Sequence, residues 1–329
     1  MALVNLLDVK PNKVSTNLKD YSMLIFAPSG YGKTPFLFEL FGEEALFLAY
    51  ENSQKGIAGI HAVDIDCHTT LEYYLSQLEN PLVREKYDVV VIDTLFLFDA
   101  CIENAITDTY GKDLLSDCLD YNKAYKIVDK KFVQTLKRIQ RMNYNIVYVC
   151  HPSEKKVKIG GKEYVKIEPK VSDRIKNILL PEVDIKIYCG FDENGKRVIY
   201  TQSSPYWDAR VRVGDMDPVI PFDVESFKKA FKEGIERRVK NSKYLVENLE
   251  KKNIVSDTPR DFKVAMQELI SLGEELEKTG SGPEAVSILN KELGTDNNGK
   301  QRTLQDLNES MIGCVETIIV KLKALKEKQ

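Results

Sequence analysis

Met23-Leu24-Ile25-Phe26-Ala27-Pro28-Ser29-Gly30-Tyr31-Gly32-Lys33-Thr34 is a short apolar strand running into a glycine-bearing loop that ends in Lys-Thr. A helical pattern follows, with Phe36, Leu37, Leu40 and Phe41 at its apolar positions. This is the layout of a phosphate-cradling P-loop. Its backbone N–H groups turn inward around a polyphosphate, its lysine reaches the outer phosphates, and its threonine hydroxyl ligates Mg²⁺. On that reading Pro28, Ser29, Gly30, Tyr31, Gly32, Lys33, Thr34 and Pro35 form the nucleotide cradle. Two positions depart from the full pattern: Ala27 stands where a glycine is usual, and Pro35 removes a backbone donor from the first helical turn, where proline is tolerated. The bland alternative is an ordinary strand–turn–helix carrying a chance Gly-Lys-Thr.

Working outward, Ala45 to Tyr50 is a six-residue apolar run suited to a strand buried on both faces. It delivers Glu51 to the carboxyl end of the strand, the edge that carries ligands in open α/β sheets. Ala62 to Ile65 reads as a further short strand and Leu71 to Leu78 as a helix. Tyr87-Asp88-Val89-Val90-Val91-Ile92-Asp93-Thr94 is a buried strand ending in aspartate, some 55–60 residues after the P-loop. That is the Walker B pattern, in which the aspartate holds the Mg²⁺ of the P-loop nucleotide. Residues 96–122 show no strong period, whereas Val128 to Gln140 is an amphipathic helix with Val128, Phe132, Leu136 and Ile139 inward. Asn145 to Cys150 is another buried strand, and it brings His151 to the same edge, as a nucleotide or DNA sensor or simply as a strand-end histidine.

Glu154 to Lys170 differs in character, with six lysines against three glutamates. Gly160-Gly161 separates two alternating runs, which predicts a hairpin with lysines on its outer face. Lys155, Lys156, Lys158, Lys162, Tyr164 and Lys166 are its candidate nucleic-acid contacts, the alternative being a merely solvated hairpin. A second hairpin is expected around Asp192-Glu193-Asn194-Gly195. After it, Arg210 and Arg212 lie two apart on a predicted strand, either as surface decoration or to bridge a phosphate at a subunit boundary. From Glu225 onward the chain reads as helical, with a cap at Ser256-Asp257-Thr258-Pro259, a break at Gly294 to Gly299 and a last helix over Leu304 to Lys326.

A net charge of -3 argues against a uniformly basic nucleic-acid binder while leaving room for a local basic surface. The six cysteines form no CxxC pair and several lie in apolar runs, so they read as reduced, mostly buried residues and not as disulfides or a zinc site. There is no apolar run of about 20 residues and no basic, apolar leader, so neither a membrane span nor a signal peptide is expected, and the cytoplasm is the expected location.

The order of these motifs resembles the RecA-like branch of P-loop ATPases, and most closely the phage AAA-family nucleotide-binding proteins that include RecA-like single-strand-annealing recombinases. The likeness covers roughly residues 20–215. It implies an α/β fold with a mainly parallel sheet over 21–222, preceded by an arm (1–20) and followed by a helical C-terminal region (223–329). It further implies an ATPase using ATP and Mg²⁺. Lys33 would bind phosphate, Thr34 and Asp93 the metal, Glu51 would be the general base, His151 the sensor, and Arg210 or Arg212 would reach a neighbouring subunit's nucleotide. A homo-oligomer, ring or filament, would carry single-stranded DNA on loops within 96–122 and 153–170, in the host cytoplasm if the protein is phage-encoded. The competing readings are a helicase-like DNA motor and a nucleotide-gated scaffold. In the scaffold, the helical tail recruits a partner such as a single-strand-binding protein or a nuclease.

Overall fold

Val89, Val90, Val91 and Ile92 are fully buried, as are Leu24, Ile25 and Phe26. Such runs require cover on both faces, and a parallel sheet between helices supplies it. A computed structural model describes residues 11–119, 121–249, 262–293, 301–307 and 312–326. The order begins β1 (Val14–Ser15), β2 (Met23–Phe26), α1 (Lys33–Phe41), β3 (Ala45–Ala49), β4 (His61–Asp64), α2 (His68–Leu78), α3 (Pro81–Lys86) and β5 (Val89–Asp93). It continues with α4 (Leu95–Tyr110), α5 (Leu115–Cys118), α6 (Tyr121–Arg141), β6 (Asn145–Cys150), β7 (Pro152–Ile159), β8 (Lys162–Pro169), α7 (Asp173–Ile178) and β9 (Ile185–Phe191). Then come β10 (Arg197–Tyr200), β11 (Arg210–Val211), β12 (Val219–Pro221), α8 (Val224–Arg238) and β13 (Leu245–Val246).

The main sheet has the order β12-β10-β9-β2-β6-β5-β3-β4, with β11 added on β9. The strands from β9 through β4 run parallel, while β10, β11 and β12 are antiparallel additions at one side. The register aligns Phe26 with Cys150, Val149 with Asp93, and Asp93 with Ala49. Every loop that follows these strands therefore opens at one edge, on either side of the P-loop. Among the described residues, no helix is long and apolar enough to cross a membrane, and all six cysteines are free.

Several expectations are corrected. First, the stretch 96–122 is largely helix (α4 and α5), not a loop lining an axis. Its apolar period is broken because Asp99 occupies a core-facing place beside Leu95, Phe98 and Ile102. Arg174 makes that position tenable, with contacts of 2.6 Å to Asp99 and 2.6 Å to Asp129, and Ser172 adds a hydrogen bond to Asp99 of 2.6 Å. A carboxylate buried to this degree needs such a partner.

Second, the contacts divide the chain at Ile254, not at residue 222. Helix α8 belongs to the sheet's core: Phe227 and Phe231 are buried and meet Phe36 and Tyr21 edge-on, at 5.8 and 5.7 Å between ring centres. Burial of each such ring is worth about 1.5–3 kcal/mol. The described part of the N-terminal arm is also tied in, since β1 pairs in parallel with β13 and Ser15 donates to the Glu247 carbonyl at 2.9 Å. Residues 1–10 lie outside the described residues.

Third, the lysine-rich hairpin exists as a separate two-stranded unit, β7 with β8, and Gly160 (φ 57°) and Gly161 (φ 81°) form its two-residue turn. Positive φ at both central positions is what a twisted tight hairpin demands. The lysines, however, do not share one face. The period of two places Lys155, Lys162 and Lys166 on one side and Lys156 and Lys158 on the other.

The second unit, Val255–Gln329, contains α9 (Phe262–Lys278), α10 (Gly282–Leu293) and α11 (Ile312–Lys326). Leu269, Leu276, Val315, Ile318 and Leu322 build a core of its own. The single helix expected over Leu304–Lys326 is instead a short turn, Leu304–Asp306, followed by α11, because Leu307 is extended and buried in that core. The cap at Ser256–Pro259 and the break at Gly294–Gly299 lie outside the described residues.

Candidate nucleotide site

The loop from β2 to α1 adopts the cradle geometry despite its two departures. Ala27 lies outside the left-handed region, so the missing glycine there costs no strain, whereas Gly30 (φ 74°) and Gly32 (φ 100°) take the bends that need one. Pro35 sits in the first turn of α1, where its absent N–H has no helical partner, and the first helical bond runs from Phe36 N–H to the Gly32 carbonyl at 3.0 Å. The N-terminus of α1 thus faces the cradle and favours an anion there.

Lys33 is buried, and its Nζ donates to the carbonyls of Ala27 (2.9 Å) and Pro28 (3.1 Å). The ammonium is folded onto the loop's own backbone, an arrangement it can exchange for phosphate oxygens. Burial pushes its pKa down, while the charges of Asp93 and Glu51 act in the opposite direction.

Asp93 is 2% exposed, and both Thr34 Oγ1 (2.9 Å) and Ser53 Oγ (2.8 Å) donate to its Oδ2. Burial raises the pKa of this carboxyl, and the two hydroxyls only partly offset that. One carboxylate and two hydroxyls are a sound donor set for Mg²⁺, which takes few protein ligands and completes its shell with water and phosphate oxygens. Among the described residues, no cluster of three or more His, Cys, Asp or Glu side chains suited to a metal occurs.

Glu51 follows β3 and meets His151, which follows β6, with His151 Nε2 at 3.3 and 3.4 Å from the two carboxylate oxygens. Thr94 Oγ1 donates to Glu51 Oε1 at 3.3 Å. The structure therefore brings Lys33, Thr34, Glu51, Asp93 and His151 together at one edge. Residues that sequence reading left without a role join them: Ser53, which stands two positions after Glu51, and Thr94, the neighbour of Asp93.

Arg210 and Arg212 are not part of this cluster. Strand β11 pairs with the beginning of β9, with Arg210 opposite Lys186, and Lys186 aligns with Leu24, upstream of the P-loop. Arg210 Nη2 donates to the carbonyls of Leu180, Pro181 and Val183, and Arg212 is exposed. Within one subunit neither approaches the cradle.

The arginine that does is Arg197. Its Nη1 donates to the Tyr31 carbonyl at 3.4 Å, and its guanidinium lies 5.5 Å from the centre of the Phe222 ring. A Cβ on Gly32 would sit 3.7 Å from that same Nη1. Tyr31 is held to the same hairpin, its hydroxyl donating to the Gly190 carbonyl and accepting from Val198 N–H at 3.1 Å. No local pattern marks Arg197, because its proximity to Gly32 depends on β9 and β10 lying beside β2.

The family model described as AAA domain, an AAA-type P-loop ATPase, matches residues 19–213. No curated protein matches the chain. The matched span is more than half of the chain and contains each of the strands that bring Lys33, Glu51, Asp93 and His151 to one edge, so this protein belongs to the AAA domain family of P-loop ATPases.

Proposed function

We propose that this chain is an ATP-dependent, oligomeric single-stranded-DNA-binding recombinase of the annealing type, serving phage-type recombination or replication. The observation that carries this reading is where the lysine hairpin is rooted. Strand β7 begins one residue after His151, and where β8 ends, Lys170 N–H donates to the His151 carbonyl at 2.8 Å. The basic hairpin thus grows out of, and returns to, the residue that contacts Glu51. A strand lying on the hairpin and a nucleotide at the cradle would share a mechanical link through His151.

In this reading Lys33 leaves the Ala27 and Pro28 carbonyls for the outer phosphates of ATP. Thr34 and Asp93 would hold Mg²⁺, with Ser53 supporting Asp93; the ion would supply charge that neutralises the phosphates. Glu51 takes a proton from the water attacking the γ-phosphorus, and His151 and Thr94 hold that carboxylate in place. The bond from γ-phosphorus to the bridging oxygen breaks, leaving ADP and phosphate. Arg212, exposed and far from its own cradle, is the candidate to reach a neighbouring subunit's γ-phosphate. Such an arginine is worth about 10³–10⁵ in rate, which would make turnover depend on assembly. Arg210, bound to three carbonyls, is the weaker candidate.

The test is steady-state phosphate release with and without an oligothymidylate. Stimulation by the oligonucleotide together with an assembly-dependent rate supports the reading. A rate indifferent to single strands favours a second reading, in which the separately cored unit Val255–Gln329 is a partner-docking module on a nucleotide-gated scaffold. Directional unwinding of a forked duplex favours a helicase-like motor.

A further inference from the structure

The hairpin is not two-stranded along its whole length. Ile167 N–H donates to the Tyr206 carbonyl at 2.7 Å and Asp208 N–H to the Ile167 carbonyl at 3.0 Å, so residues 206–208 run parallel beside β8, with Trp207 opposite Ile167. Paired residues share a face and neighbours alternate. Trp207 therefore lies on the side of Ile167 and packs towards the core, 4.0 Å from the Tyr200 ring centre. Tyr206 and Asp208 lie on the opposite side, with Lys155, Lys162, Tyr164 and Lys166.

The two faces differ in charge. On the Ile167 face, Lys156 and Lys158 are balanced by Glu154 and Glu163, with Lys158 3.4 Å from Glu163. On the other, Lys155 and Lys166 stand directly opposite each other, and no carboxylate pairs with Lys155, Lys162 or Lys166 among the described residues. Like charges in cross-strand register oppose stability, and an anion lying across them would relieve that repulsion. At the root of the same face is a cavity of about 370 Å³, where Lys155, Lys176, Lys186 and Arg210 outnumber Glu168 and Asp208. Lys186 is 2.5 Å from Asp208 and Lys176 is 3.9 Å from Glu168. The excess charge therefore rests on Lys155 and on Arg210, whose Nε is buried without a partner. Between cavity and turn, the rings of Tyr164 and Tyr206 meet edge-on at 5.7 Å, and Tyr206 is 53% exposed.

We propose that a single nucleic-acid strand binds this face alone, with bases stacked at Tyr206 and Tyr164, phosphates on Lys155, Lys162 and Lys166, and its path ending in the cavity beside Arg210. Unpaired basic groups interleaved with accessible aromatic rings are what an unpaired strand requires, since every base offers a face to stack and every linkage a charge. The inference rests on the single-strand reading above and adds to it a face, an aromatic pair and a phosphate pocket.

The test is fluorescence anisotropy of the full chain with a labelled oligothymidylate across a salt series. Tyr206→Ala is expected to weaken binding about 10-fold, with Tyr206→Phe restoring it. Lys155→Ala with Lys166→Ala is expected to flatten the slope of log affinity against log salt by about 1.4, or ~0.7 for each contact. Lys156→Ala with Lys158→Ala is expected to change affinity less than 2-fold. Thermal melts of each variant establish that it is folded. If the wild type binds while the Lys156/Lys158 pair matters as much as Lys155/Lys166, or Tyr206→Ala is silent, the face assignment falls and the single-strand reading survives. If poly-glutamate competes as well as the oligonucleotide and Tyr206→Ala is silent, the face serves an acidic protein and the proposal is overturned. No binding of the oligonucleotide by the wild type overturns both readings.

Discussion

At the nucleotide edge, Asp93 is 2% exposed and two hydroxyls reach one of its oxygens; on one face of the β7–β8 hairpin, Lys155 and Lys162 are exposed and no carboxylate pairs with them among the described residues. Both regions are candidate binding sites for polyphosphates, yet they are built by opposite means. The edge gets its chemistry from burial: parallel register brings four strand ends together, and the low-polarity surroundings shift the ionisation of Lys33 and Asp93. The hairpin gets its chemistry from exposure, as a tight turn and a period of two sort charges onto faces. A buried site answers to single atoms and to pH, while an exposed one answers to salt and to the number of charges.

Three experiments would break or sharpen that contrast. The largest effect is expected at Glu51. Replacing it by Gln keeps size and hydrogen-bonding capacity but removes the base, so turnover should fall about 10²–10⁴-fold while titration with a fluorescent ATP analogue gives an unchanged affinity. Unchanged turnover would remove Glu51 from the mechanism. Next is Phe227→Ala on α8, buried under the P-loop helix against Phe36. A denaturant titration should show a loss of about 3–5 kcal/mol; a loss under 1 kcal/mol would return α8 to the tail.

The smallest effect is expected from Asp93→Asn in the nucleotide-free chain. The folded-state pKa of Asp93 is raised from its ordinary value of 3.8, chiefly by burial. The folded chain therefore holds this proton more tightly than the unfolded one. The stabilisation that proton brings is complete below about pH 3.8 and is lost as pH rises through the raised value. Asp93→Asn should thus raise the melting temperature by about 2–4 °C at a pH above the raised pKa, with a smaller gain at pH 4, while abolishing Mg²⁺-dependent nucleotide binding. An equal gain at both pH values would mean that ionisation of Asp93 is not the cause.

Much of the nucleotide edge was legible in the chain itself. The P-loop, the two carboxylate-bearing strand ends and His151 are each local patterns of apolar runs ending in a polar residue, and a buried strand leaves little freedom in how it ends. The hairpin was legible because Gly160-Gly161 supports its turn without outside help. Residues 96–122 were misread for the opposite reason: Asp99 spoils the helical period, and its partner Arg174 is 75 residues away. The misplaced boundary at residue 222 has a similar origin, since nothing local separates a helix that caps a sheet from one that belongs to a tail.

The sequence by itself determined the order of strands and loops, the identity of the cradle and the presence of a basic hairpin, because these follow from neighbours a few residues apart. Tertiary structure alone decided that Arg197, and not Arg210 or Arg212, stands beside Gly32 within the subunit. It alone decided that Ser53 shares Asp93 with Thr34, and that Tyr206 joins one lysine face while Trp207 turns inward. Each of these depends on pairing between strands distant in the chain. A one-residue change of register would have sent the same side chains to the other face.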